Sequence, residues 1–213
     1  MAIRSKIDMD PVDSSTTRYA SNATGATFTL AQTTPGDGLA RTVLITNDDA
    51  RDDTLITITI VGTDADGKAQ TEAALTGPDA STTTESTKHF LTVTSVTPVS
   101  TIGANTWDIG IGDKISSKTI PLNSLSDVPA VAAVDVTGTI GFDIEVTYDL
   151  VNSPDFTWTD QSSAAWLNAT NLTAKTADII GEIDRGAQAA RVLINSYTDT
   201  AELQFWITQT ESH

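Results

Sequence analysis

Apolar residues in this chain recur mainly at every second position. Ile56, Ile58 and Ile60 share one side of a stretch whose other side carries Thr57, Thr59 and Val61. The pattern returns later, where Ile144, Val146, Tyr148 and Leu150 alternate with Asp143, Glu145, Thr147 and Asp149. A period of two marks a strand with one buried face. Further strands are predicted over residues 26–30, 42–46, 69–75, 90–96, 107–112, 190–195 and 203–209. Turn residues separate them, among them Thr34-Pro35-Gly36-Asp37-Gly38, Asp66-Gly67 and Gly77-Pro78-Asp79. Helical periodicity is weak by comparison, and the fold class that follows is all-β.

Hydrophobic periodicity also divides the chain. Residues 1–25 are polar and read as an extended N-terminal arm, either loose or ordered against a neighbouring subunit. Two β-sandwich or jelly-roll-like modules follow, over residues 26–120 and 121–213. The stretch 113–135 looks like their connection, because Pro121 and Pro129 interrupt pairing and Ser and Asn gather between them. Ala40-Arg41-Thr42-Val43-Leu44-Ile45-Thr46-Asn47 resembles Ala190-Arg191-Val192-Leu193-Ile194-Asn195. Module duplication explains that likeness, and so does the general similarity of acidic hairpins rich in Val and Ile.

Composition narrows the physics. With 213 residues there is enough chain to bury a core, yet aromatics are only 6%, so that core rests on Val, Ile, Leu and Ala. There is no cysteine, which excludes disulfides, thiolate metal sites and cysteine nucleophiles. The formal charge is −16, spread over both halves: 9 Lys+Arg against 15 Asp+Glu up to residue 120, and 3 against 13 beyond it. Such a surface repels phosphate backbones and anionic lipid, so neither nucleic acid nor membrane is expected as a partner. The segment 1–9 is too polar for a secretory signal, which points to synthesis in a cytoplasm without secretion by the usual N-terminal route.

Reactive chemistry finds little to stand on. Only His89 and the terminal His213 exist, so no Ser-His-Asp arrangement can be assembled, and no catalytic residue, cofactor or metal is expected. Asp64-Ala65-Asp66-Gly67 looks like part of a calcium loop. However, Gly62 and Ala73 stand where an EF-hand needs acids, and a hairpin turn is the better reading. Asp48, Asp49, Asp52 and Asp53 offer hard oxygens in one loop, a weak cation candidate. Three N-x-[ST] sequons begin at Asn22, Asn168 and Asn171, as expected by chance in a Thr-rich chain. Among Trp107, Trp158, Trp166 and Trp206, the last is out of phase with Leu203, Phe205 and Ile207. It should face away from its own core, as an interface residue.

The run from Thr59 to Gly67, then Thr71-Glu72, Leu75-Thr76-Gly77-Pro78 and Thr87-Lys88-His89-Phe90-Leu91-Thr92-Val93-Thr94-Ser95-Val96-Thr97, resembles small virion proteins of tailed bacteriophages. The later course, with Val146-Thr147-Tyr148-Asp149-Leu150 and Ala189-Ala190-Arg191-Val192-Leu193-Ile194-Asn195-Ser196-Tyr197-Thr198, is similar too. The resemblance implies a non-enzymatic virion structural protein, with other virion proteins as partners: the major capsid protein or head–tail proteins. Decoration or cementing of the capsid exterior as a homo-oligomer is the leading expectation. A collar, head–tail connector or tail component is the alternative, and a carbohydrate-binding or adhesion module competes from another class.

Overall fold

Alternation alone marks fewer strands than the chain forms. The computed structural model describes residues 3–149, 161–198 and 200–210. In chain order its strands are β1 (Ile3–Met9), β2 (Ser15–Ala23), β3 (Ala40–Asn47), β4 (Thr57–Thr63), β5 (Ala69–Thr76), β6 (Thr83–Glu85), β7 (Thr92–Pro98) and β8 (Trp107–Ser116). Then follow β9 (Ile120–Pro121), β10 (Ala130–Thr137), β11 (Ile140–Thr147), β12 (Trp166–Asn168), β13 (Ile179–Ile183), β14 (Ala189–Tyr197) and β15 (Glu202–Gln209). A single 3-10 turn at Gln161–Ser163 is the only helical element among the described residues. The all-β expectation holds.

The chain divides into two compact units, residues 13–115 and residues 1–12 with 116–213. In the first, β5-β4-β7 form one antiparallel sheet, while β8 lies between β2 and β3, with β6 beyond β3. Ile58 and Ile60 of β4 are fully buried and Val61 is exposed, as the period-two reading requires. They share a core with Val43, Ile45, Val93, Val96 and Trp107. In the second unit β1-β15-β10-β13 make one sheet, and β11 lies between β12 and β14 in another. Leu203, Phe205 and Ile207 of β15 and Phe142, Ile144 and Val146 of β11 are each buried.

Three expectations change on contact with the structure. The segment expected as an arm is extended, but both its halves are strands in this chain's own sheets: β1 pairs with β15 and β2 with β8. Met9, Tyr19 and Ala20 are buried there, so the segment has core-facing residues that its polar composition conceals. Residues 26–30 form no strand; Phe28 instead drops its ring edge-on against Trp107 at 5.8 Å. The expected connection 113–135 contains most of β10, whose Ala130, Ala132 and Val134 are buried. Tyr148 is exposed just past the end of β11, while Leu150 and Trp158 lie outside the described residues.

Close strand approach replaces bulky aromatic packing. A Cβ on Gly62 would lie 1.9 Å from the Thr92 carbonyl oxygen, and one on Gly110 only 1.8 Å from that of Ser15. Both glycines are required by contact with backbone, which cannot swing aside. Gly67 differs, having φ +75° and open space around it. Gly62→Ala is therefore expected to lower unfolding free energy by about 2–4 kcal/mol through overpacking. Gly67→Ala should lose only about 1 kcal/mol, from left-handed backbone strain. Denaturant midpoints of the two variants check the order.

Candidate functional site

The acidic loop is the candidate for a cation, and the carboxylates of Asp49, Asp52 and Asp53 are committed to protein donors. Asp53 is buried and accepts from the Trp107 indole Nε1 at 3.0 Å and from Asn105 Nδ2 at 2.8 Å. The Arg51 guanidinium pairs with its other oxygen. Asp49 Oδ2 accepts from the backbone N of Thr106 at 2.5 Å and from its hydroxyl at 3.1 Å. Asp52 caps the Thr54 amide, and hydrogen bonds from Thr54 hold its carboxyl below the usual range. Partial desolvation, then the nearby Asp108 and Asp49, raise the Asp48 carboxyl. Among the described residues no three His, Cys, Asp or Glu side chains are grouped to hold a metal.

Several polar residues between Thr63 and Thr92 meet in one corner of the same unit. Asp64 Oδ1 accepts from the amides of Asp66 and Lys68, both at 2.9 Å, which shapes the hairpin between β4 and β5. Gly67 supplies its left-handed residue. Glu72 on β5 is buried and receives the Thr87 amide and hydroxyl at 2.9 Å and the Lys88 amide at 3.0 Å. Gln70 donates to the His89 carbonyl at 2.6 Å, and the hydroxyls of Thr63 and Thr92 meet at 2.7 Å. His89 is half-buried there. Most of these contacts fix a backbone position.

Trp206 lies on the outward face of β15, because Leu203, Phe205 and Ile207 take the inner one. Strand register then decides its company. Lys6, Trp206, Ala133 and Ile180 are direct partners across β1, β15, β10 and β13. Lys6 holds its ammonium 5.4 Å from the Trp206 ring centre and pairs with Asp8 at 2.7 Å. Ile180 is 78% exposed and Val131, one row away, 38%. Trp206, Ala133, Ile180, Asp135 and Asp178 border a depression of about 380 Å³. Of the other tryptophans, Trp107 is buried and Trp166 is half-covered, with the Arg191 guanidinium 4.2 Å above its ring.

The sequence phase located Trp206 but missed Ala133 and Ile180. Ala133 falls in the stretch expected as a connection, and the alternation of Ile179, Gly181 and Ile183 with Ile180 and Glu182 on β13 is hidden because the outward Ile180 is itself apolar.

No protein-family model matches the chain, and no curated protein is significantly similar to it. Among solved structures, the major capsid protein P2 from Bacteriophage PM2 aligns at 10% identity over 99% of each chain, with a TM-score of 0.21. That score is too low to place the two in one fold.

Removing the Asp53 carboxylate leaves the buried Trp107 and Asn105 donors without their acceptor. Asp53→Ala is expected to lose about 2–4 kcal/mol of stability. Dialysis against a chelator should leave the melting transition unmoved, because Asp49, Asp52 and Asp53 already have protein partners. A chelator-induced fall of many degrees would show a structural cation instead.

Proposed function

We propose that the chain is a non-enzymatic structural protein of a tailed-bacteriophage particle, seated on the capsid exterior as a decoration or cement subunit. The observation that carries this reading is the corner built by Asp64, Gly67, Gln70, Glu72 and the 87–92 segment. Asp64, Gly67, Glu72, Thr87 and Lys88, which belong to the runs that resemble virion proteins, help to fix the course of the backbone there. A resemblance made of fold-holding residues is a resemblance of scaffold, which suits a building block. The outer row at Trp206 supplies what a building block also needs, an apolar patch on an otherwise charged surface. Strong net acidity keeps free subunits apart until they are seated.

A collar, connector or tail position would use the same features, and only the location on the particle separates these from decoration. One observation favours a reading of another class. Trp206 borders a depression with Asp135 and Asp178 on its rim, and an indole beside carboxylates suits a sugar ring.

The test is mass spectrometry of purified particles followed by electron microscopy that locates the chain. Presence on the head exterior is expected, and absence from particles would overturn the proposal. Trp206→Ala should remain folded and lose on the order of 2 kcal/mol of incorporation affinity. Binding on a glycan array that Trp206→Ala abolishes, without presence in particles, would favour the adhesion reading.

A further inference from the structure

The outer row does more than mark a generic contact. Its two ends differ in charge. At the β1 end Lys6 is occupied, paired with Asp8 and placed over the indole. At the β13 end Ile180 stands exposed, with Asp178 two residues before it and Glu182 two residues after it. Asp135 on β10 lies beside the same depression. No basic residue occurs on β10 or β13. Among the described residues β13 is also the last strand of its sheet, paired only with β10, so one backbone edge has no described strand beside it.

From this we infer that the depression between Trp206 and Ile180 receives an extended segment of a different protein, one with an apolar side chain flanked by Lys or Arg. The inference rests on the particle reading for the partner's identity, and on the surface alone for its chemistry. An apolar side chain covers Ile180, Ala133 and the indole, which removes apolar surface from water. Flanking cations meet Asp135, Asp178 and Glu182, and an extended backbone can add to the β13 edge. A second copy of this chain fits badly, since it would bring the same three acids and a formal charge of −16 against them.

The experiment uses the purified full chain and immobilised seven-residue peptides in which valine alternates with lysine, glutamate or serine. The wild-type chain should be retained on the lysine peptide about tenfold more strongly than on the other two, and less so in about 0.5 M salt, where the Debye length falls to roughly 4 Å. Ile180→Asp, at a position exposed enough to leave the fold intact, should lose about tenfold or more of that retention. Asp135→Asn combined with Glu182→Gln should narrow the preference for lysine while the melting transition stays in place. No retention on the lysine peptide, or equal retention on all three, overturns the inference. A dimer in sedimentation that Ile180→Asp dissolves overturns it as well and assigns the face to a second copy. Because no particle is involved, these outcomes stand apart from whether the chain is found in virions.

Discussion

Burying a carboxylate is costly, and the unit formed by residues 13–115 is arranged around one that is fully withdrawn from water. Asp53 sits just ahead of β4, yet its donors come from Arg51 in its own loop and from Asn105 and Trp107 at the start of β8. Desolvating such a group costs several kcal/mol unless its lone pairs are filled. Here one donor is charged, one is an amide and one is the indole of the largest buried side chain. Once Trp107 is tethered by its nitrogen, its ring has a fixed orientation, and Phe28 can pack edge-on against it. The segment 24–30 then needs no strand pairing to be held. Asp49 makes the same kind of connection one residue before β8, through Thr106. Acids that look surplus in the composition thus join loops in a chain without disulfides.

That use of acids explains which parts of the fold were legible in the sequence. Alternation works where the two faces differ in polarity, so β4, β11 and β15 could be read from Ile58 and Ile60, Ile144 and Val146, and Phe205 and Ile207. It fails where a core residue is small or amphipathic. β10 buries Ala130 and Ala132, which hardly contrast with their neighbours, and β2 buries Tyr19 and Ala20 amid Ser, Thr and Asn. In both cases the partner strand decides. Ala132 is inward because Ile207 opposite it is, and Ala20 is inward because it pairs with Ile109. Such information lies in long-range register, which a single strand's pattern does not contain.

The candidate site was legible to the same extent and for the same reason. The phase of Trp206 follows from its own strand, so its outward direction could be read directly. Its neighbours follow from pairing with β1 and β10, and from β10 with β13. The acidic loop shows the converse. Four aspartates in a short span suggest a cation when only their spacing is known. Two of the four, Asp49 and Asp53, instead take donors from Thr106, Asn105 and Trp107, more than fifty residues away.

Together these facts separate two uses of negative charge. Asp49, Asp53, Asp64 and Glu72 each accept backbone or side-chain donors of the chain itself, so their charge is spent on shape. Asp143 and Glu145, on the polar side of β11, belong with them, since Asn195 reaches Asp143 at 2.6 Å and Arg191 pairs with Glu145 at 2.7 Å. The acids around Ile180 are of the other kind. They stand on exposed positions of two neighbouring strands, with an apolar side chain between them. Asp178 gives one oxygen to the Val136 amide at 2.9 Å, which fixes its place while leaving its charge outward. An exposed isoleucine lowers solubility unless it is covered, and like charges around it discourage covering by an identical surface. The arrangement therefore opposes self-association at the face where the sheet would otherwise be most prone to it, and leaves that face open to a partner of opposite charge.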